Sequence, residues 1–157
     1  MNINIYGSTG VIGKKTLFVL KKYFPNIKIN LLCANSKVNT LINQIKVFKP
    51  KYVYLNDNSQ IKKLKSSING KIKIFSYDEL TSYLLSSKST FSILAVSGYK
   101  SLYFLEAIIK NTDNLGIVSK EAIVSAGHIF NKKKYHKKTK IFPIDSEHFS
   151  LFELFNK

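Results

Sequence analysis

A short alternating run, Asn2-Ile3-Asn4-Ile5-Tyr6, passes without a linker into Gly7-Ser8-Thr9-Gly10-Val11-Ile12-Gly13 and then into Lys14-Lys15-Thr16-Leu17-Phe18-Val19-Leu20. Period-two hydrophobicity, a glycine-rich stretch and helix-forming residues, in that order, read as strand, tight turn and helix. In a dinucleotide-binding turn each glycine has its own task. Gly7 lets the strand turn sharply, Gly10 lets the backbone approach a pyrophosphate, and Gly13 lets the helix lie close to the strand. The free N–H groups and the positive end of the helix dipole then face the phosphates. The spacing is GxxGxxG rather than GxGxxG, which suits an NADP-type form of the turn. The same residues also fit a plain strand-to-helix turn that needs a positive φ. Their place at the extreme N-terminus, between a strand and a helix, favours the nucleotide.

The first helix should end near Tyr23-Phe24-Pro25, and Lys28 to Ala34 reads as a second strand. Its apolar run Leu31 to Ala34 is what a strand buried on both faces of a parallel sheet looks like. The loop that follows, Asn35-Ser36-Lys37, has no carboxylate to accept a ribose 2′-hydroxyl, so it suits a 2′-phosphate. The other reading is an ordinary polar loop whose lysine is one of 25 basic residues. Val38, Leu41, Ile42, Ile45 and Phe48 keep helical spacing up to the stop at Pro50. Tyr52 to Leu55 is the third strand, and Asp57 or Asn58 can cap a helix that includes Ile61, Leu64 and Ile68. Lys71 to Phe75 alternates cleanly, as an exposed or edge strand does. An amphipathic helix over Tyr77 to Leu85, a buried strand from Phe91 to Val96 ending in Ser97-Gly98, and a helix through Leu102, Leu105, Ile108 and Ile109 follow. This alternation predicts an α/β fold with a doubly wound, mostly parallel sheet.

Leu115 to Val118 forms a short strand, and Ser119-Lys120-Glu121 follows at the C-terminal edge, where ligands bind in such sheets. Those three residues also fit a helix start with a solvated ion pair. Ala122 to Gly127 continues as helix, and Lys132-Lys133-Lys134 with Lys137-Lys138 reads as a solvated helix end and loop. Ile141 to Ile144 is one more buried strand, and it delivers Asp145-Ser146-Glu147-His148. An Asp and a Glu two apart can place two carboxylates on one Mg²⁺ or Mn²⁺, with the serine facing a substrate anion. An acidic helix N-terminus, in which Asp, Ser and Glu cap the helix, accounts for the same residues.

The net charge of +16 raises nucleic acid as a partner, since basic domains bind phosphate backbones by counterion release. Every basic residue is lysine, however, and arginine is the preferred residue for bidentate phosphate and guanine contacts. No aromatic-basic stacking motif is present either. Abundant Asn, Ile, Tyr and Phe without Trp fits codon drift in an AT-rich genome such as that of a bacterial symbiont, so we read much of the charge as mutational. No apolar stretch approaches the roughly eighteen residues of a membrane helix, and no signal peptide precedes the first strand. The expectation is a cytoplasmic protein without nucleic-acid or membrane partners. The single cysteine, Cys33, sits in an apolar run and reads as a buried small hydrophobe.

Taken together the motifs resemble the 1-deoxy-D-xylulose 5-phosphate reductoisomerase family. The likeness is carried by Gly7 to Gly13, by Ser119-Lys120-Glu121-Ala122-Ile123-Val124-Ser125-Ala126-Gly127 and by Pro143-Ile144-Asp145-Ser146-Glu147-His148. It also includes Gln44 to Val53. The resemblance implies a Rossmann-like NADPH-binding domain over 1–144 and the start of a catalytic domain over 145–157. It implies an enzyme that rearranges deoxyxylulose phosphate and reduces the product with NADPH to 2-C-methyl-D-erythritol 4-phosphate, in isoprenoid biosynthesis. Carried over by position, Thr9, Gly10, Val11 and Ile12 would contact the pyrophosphate, and Asn35, Ser36 and Lys37 the adenosine phosphate. Ser119 and Glu121 would lie against the cofactor, and Lys120, Ser146 and Glu147 against the phosphosugar, with Lys120 and Glu147 catalytic. Asp145 and Glu147 would hold Mg²⁺ or Mn²⁺.

The chain departs from the family in several places. Ser119 stands where the family usually has Asn, Tyr99 and Lys100 are bulky in a loop of small residues, and the adenosine loop has lost a glycine. Family members also continue with a third carboxylate, a loop over the substrate and a helical domain, and form homodimers at full length. Complete turnover by these 157 residues alone is therefore not expected. The alternative is a non-catalytic NADP-binding or interaction module that uses the apolar Phe149 to Phe155 helix.

Overall fold

The computed structural model describes residues 1–68, 70–130 and 138–155. Seven strands form one sheet in the order β4-β3-β2-β1-β5-β6-β7, and every described pairing is parallel. They are β1 Asn2–Tyr6, β2 Lys28–Ala34, β3 Tyr52–Leu55, β4 Lys73–Phe75, β5 Ser89–Leu94, β6 Thr112–Ile117 and β7 Lys140–Pro143. The helices are α1 Val11–Tyr23, α2 Val38–Phe48, α3 Ile61–Ser67, α4 Tyr77–Ser86, α5 Leu102–Lys110, α6 Lys120–Ser125, α7 Gly127–Phe130 and α8 Ser146–Phe155. Of the lysine-rich run only Lys138 is among the described residues, and it is exposed.

The double winding shows in two separate cores. Leu17 of α1, Leu41, Ile42 and Ile45 of α2 and Leu64 of α3 pack with Ile3, Ile5 and Val53 on one face. Leu80 and Leu84 of α4 and Leu105, Ile108 and Ile109 of α5 pack with Leu31, Leu94 and Leu115 on the other. A parallel sheet needs such cover on both faces, which is why β2 reads as a nearly continuous apolar run. The expected edge strand is confirmed in shortened form, since β4 begins at Lys73 and pairs only with β3. The last strand is a correction: β7 is half-buried and lies on the opposite edge, where Pro143, lacking an N–H, is tolerated.

The β1–β2 register shifts between Ile3 and Asn4, so Ile3 faces Ile29 and Asn4 faces Leu31. Asn30 is thereby left over as a bulge, and Ile29 and Leu32 share a core face although three residues apart. The amides freed there are satisfied by one hydroxyl. Asn30 Nδ2 donates to Tyr83 Oη at 2.5 Å and to Asn4 Oδ1 at 3.1 Å, and Asn4 Nδ2 donates to Tyr83 Oη at 3.3 Å. Burial raises the Tyr83 phenol, so it stays a neutral hydrogen-bonding group. Tyr83→Phe is expected to cost about 0.5–1.5 kcal/mol in urea unfolding, because the two amides lose a shared acceptor while Asn30 keeps Asn4 Oδ1 and Asn4 keeps the Tyr6 hydroxyl. Cys33 is buried as expected, and burial pushes its thiol pKa far upward.

Candidate functional site

The predicted site residues gather at the C-terminal ends of the strands. After β1 the chain turns at Gly7, whose φ is +83°, and the N–H groups of Gly7 and Ser8 both donate to the Cys33 carbonyl at 2.9 Å. Gly10 N–H closes the turn onto the Gly7 carbonyl at 3.0 Å, and α1 starts at Val11. Gly13 lies directly on this turn, since a Cβ there would stand 2.7 Å from the Ser8 Cα. Gln44 of α2 supports the turn from behind by donating to the Ser8 carbonyl at 2.8 Å. Sequence patterning passed over that contact, although a polar residue between Leu41 and Ile45 on a core-facing stripe was a usable signal.

The start of α1 is left open. Gly10, its N-cap, supplies no side-chain cap, and the first turn carries no acidic residue. Helix geometry leaves the first-turn N–H groups without intrahelical acceptors, and Val11 is 68% exposed. Ser8 Oγ is buried without a hydrogen-bond partner among the described residues. This is the anion-receptive end of a helix placed over the central strand β1. On the β2 side, Asn35, Ser36 and Lys37 are exposed, and α2 starts after Lys37 with no side-chain cap and no acid in its first turn. Asn35 is fixed by β3's loop, through Asp57 N–H to its carbonyl at 2.9 Å and Asn56 Nδ2 to its Oδ1 at 3.0 Å.

On the β5–β6 side the structure revises the expected local ion pair. Ser119 caps α6 by accepting from Ala122 N–H at 3.2 Å, and its hydroxyl donates to Glu121 Oε2 at 2.8 Å. Lys120 turns instead to Glu147, 27 residues on, with Nζ 2.6 Å from Oε1. Asp145 does cap α8, accepting from His148 N–H at 2.9 Å and lying 2.9 Å from the His148 Nδ1. Ser146 Oγ donates to the second oxygen of Glu147 at 2.9 Å. Lys120, Ser146 and Glu147 are thus brought together, while Asp145 faces His148.

The Lys120 ammonium, with the Glu147 N–H and the Ser146 hydroxyl, lowers the Glu147 carboxyl from its ordinary 4.5 to about 2. Glu147 in turn raises the Lys120 pKa. A depressed carboxyl contributes stability in full above its ordinary value and loses it as pH falls through the folded value, here between about 4.5 and about 2. Both groups are exposed, so the contribution is small and salt-screened. Lys120→Ala is expected to return the Glu147 titration, followed by carboxyl NMR, toward 4.5.

Asp145 and Glu147 are hard oxygen donors of the type Mg²⁺ and Mn²⁺ take, and they fit two positions of such a site. No group of three His, Cys, Asp or Glu residues arranged for a metal occurs among the described residues. A hollow between α1 and α2, lined by Lys14, Phe18, Thr40 and Val47, lies on the flank, and none of the predicted site residues lines it. No helix among the described residues is long and apolar enough to cross a membrane.

A parallel, doubly wound sheet with an open helix start over β1, between the loops of β2 and β5, defines a Rossmann-like domain of the dinucleotide-binding class. The family profile of 1-deoxy-D-xylulose 5-phosphate reductoisomerase matches residues 3–127. The chain belongs to that family. The Pelagibacter ubique reductoisomerase is 39% identical over 97% of this chain and 40% of its own length. The apicoplastic reductoisomerase of Plasmodium falciparum is 33% identical over 98% of this chain and 33% of its own length. The solved Zymomonas mobilis reductoisomerase in complex with NADPH superposes with a TM-score of 0.85 at 25% identity, covering 97% of this chain and 40% of that one. The chain thus spans about 40% of the length of the Pelagibacter and Zymomonas relatives.

Proposed function

We propose that the chain binds NADPH across the end of its sheet, as the nucleotide-binding part of a deoxyxylulose-phosphate reductoisomerase. The observation that carries this reading is Gly10. Its φ is −73°, and an added Cβ would come no nearer than 3.3 Å to the Gly7 carbonyl and 3.8 Å to that of Ala95. A methyl would sit tight against the Gly7 carbonyl but is otherwise unhindered, so the demand for glycine from the fold is far weaker here than at Gly7 or Gly13. A ligand that approaches the backbone adds its own.

Thr9, Gly10, Val11 and Ile12 then hold the pyrophosphate, and Asn35, Ser36 and Lys37 the 2′-phosphate. Ser119 and Glu121 stand on the nicotinamide side. Lys120, Ser146 and Glu147 face the phosphosugar, and Asp145 and Glu147 supply two ligands to Mg²⁺ or Mn²⁺. NADPH supplies the hydride and the cation polarises substrate oxygens when they are bound. The chain's own groups position: Lys120 is held cationic by Glu147, ready to donate to a substrate hydroxyl. Residues 1–144 form the nucleotide domain and 145–157 open the catalytic one. Turnover and homodimerisation belong to the family-length protein. The exposed Phe149, Leu151, Leu154 and Phe155 of α8 favour a second reading, a module that binds another polypeptide through this helix.

Calorimetric titration of the chain with NADPH and NADH tests the first reading. Gly10→Ala is expected to lower the melting temperature much less than Gly7→Ala or Gly13→Ala, since only the Gly7 carbonyl must give slightly, and to weaken NADPH binding by about tenfold or more. Lys37→Ala should lose about 10–100-fold in NADPH affinity with little change for NADH, the scale of one charge-assisted hydrogen bond. Unchanged NADPH binding in both variants would overturn the assignment.

A further inference from the structure

Three segments meet where β5 and β6 end. Ser101, with 0% exposure, donates its hydroxyl to the Gly98 carbonyl at 2.7 Å and lies 3.2 Å from Ser119 Oγ. The Ser101 N–H donates to the same Gly98 carbonyl at 3.1 Å. Ser119 continues the chain of contacts, its hydroxyl donating to Glu121 Oε2 at 2.8 Å. The Gly98 carbonyl is therefore held twice by Ser101, which reaches the start of α6 through Ser119.

That grip holds an unusual backbone. Gly98 has φ +71° and ψ −169°, a region essentially confined to glycine. A Cβ there would meet nothing within 4 Å, so the glycine answers to backbone conformation, and the space beside it is open. The sheet order says what passes that space. With the pyrophosphate over β1 and the adenosine over the β2 loop, the other half of a dinucleotide must run toward β5 and β6.

We propose that Ser101 is a positioning residue: through Gly98 and Ser119 it fixes the 97–100 loop against the nicotinamide half of the cofactor, and Glu121 steadies the same link by holding the Ser119 hydroxyl. This rests on the NADPH reading above. Glu121 then acts through Ser119 and not only by touching the cofactor.

The test compares two probes on the 157-residue chain by calorimetry: NADPH, which spans both halves, and adenosine 2′,5′-bisphosphate, which reaches only the adenosine half. Ser101→Ala is expected to weaken NADPH about threefold to tenfold, the scale of a lost hydrogen bond, and to leave the bisphosphate unchanged. Glu121→Ala should show the same selectivity. The double variant should fall no more than about twofold below the weaker single, because one loop mediates both effects. Should Ser101→Ala fail to fold, Ser101→Cys, which keeps the packing and weakens the donor, takes its place in the cycle. Equal weakening of both probes by the Ser101 variant, or losses that multiply in the double variant, would overturn the latch and leave NADPH binding standing. A wild-type chain that binds neither probe would remove the function reading, and the latch with it.

Discussion

Gly7→Ala is expected to lower the unfolding free energy by about 2–5 kcal/mol, combining left-handed backbone strain with overpacking. At φ +83° an L side chain is strained on its own account, and the new Cβ would stand 2.7 Å from the Ala95 carbonyl carbon at the end of β5. Neither side can yield, since both are backbone at the join of β1 and β5, whose register runs from Ile3 with Phe91 to Tyr6 with Leu94. Against a total of about 5–15 kcal/mol for a domain, this leaves a chain near its folding threshold. Urea denaturation measures the loss directly. Gly13→Ala should behave similarly without the φ component, because its Cβ would meet the Gly7 carbonyl and the Ser8 backbone. Gly10→Ala is the control within the same motif, less destabilised than the other two but weak in NADPH binding. A result in which all three lost stability equally would mean that the motif serves only the turn.

Leu105→Ala is expected to cost about 2–5 kcal/mol, the range for a large buried side chain whose cavity cannot collapse. Leu105 is fully buried in the core that joins α5 to β5 and β6, with Leu94 and Leu115 around it. The effect should reach the site, because α5 begins immediately after Ser101, the residue that grips Gly98. Thermal melting together with amide exchange across 97–101 would separate the two consequences. A loss of stability with unchanged exchange in the loop would show that the loop is held by its own hydrogen bonds and not by the anchoring of the helix.

Much of this was legible because it is local. The glycine turn, the stop after Phe48 and the apolar stripes of α2 and α5 depend on neighbours within a turn or two, and the structure places them where the pattern did. Asp57, in contrast, caps the 3-10 turn Asn58–Gln60 ahead of α3 rather than α3 itself, which ends before Ile68. Element ends were read less well. β5 starts at Ser89 rather than Phe91, and β6 at Thr112 rather than Leu115, because polar residues there are paired across the sheet and buried. Ser89, Ser92 and Thr112 satisfy one another, with Ser89 Oγ 2.9 Å from Ser92 Oγ and 3.0 Å from Thr112 Oγ1. A hydrophobicity pattern cannot see a polar strand start whose partners lie 23 residues away.

By itself the sequence determined the alternation of strands and helices, the glycine turn after β1 and the family to which its motifs point, since each follows from short-range spacing and residue chemistry. Only the tertiary structure decided which charges meet. Lys120 pairs with Glu147 rather than with its neighbour Glu121, because β6 and β7 lie side by side in the sheet and bring the ends of both strands together. The same is true of the Asn30 bulge closed by Tyr83 and of the Gly98 loop, tied to the start of α6 through Ser101 and Ser119. Each joins groups far apart in the chain, and their partnership is set by sheet order and register, which no local pattern encodes.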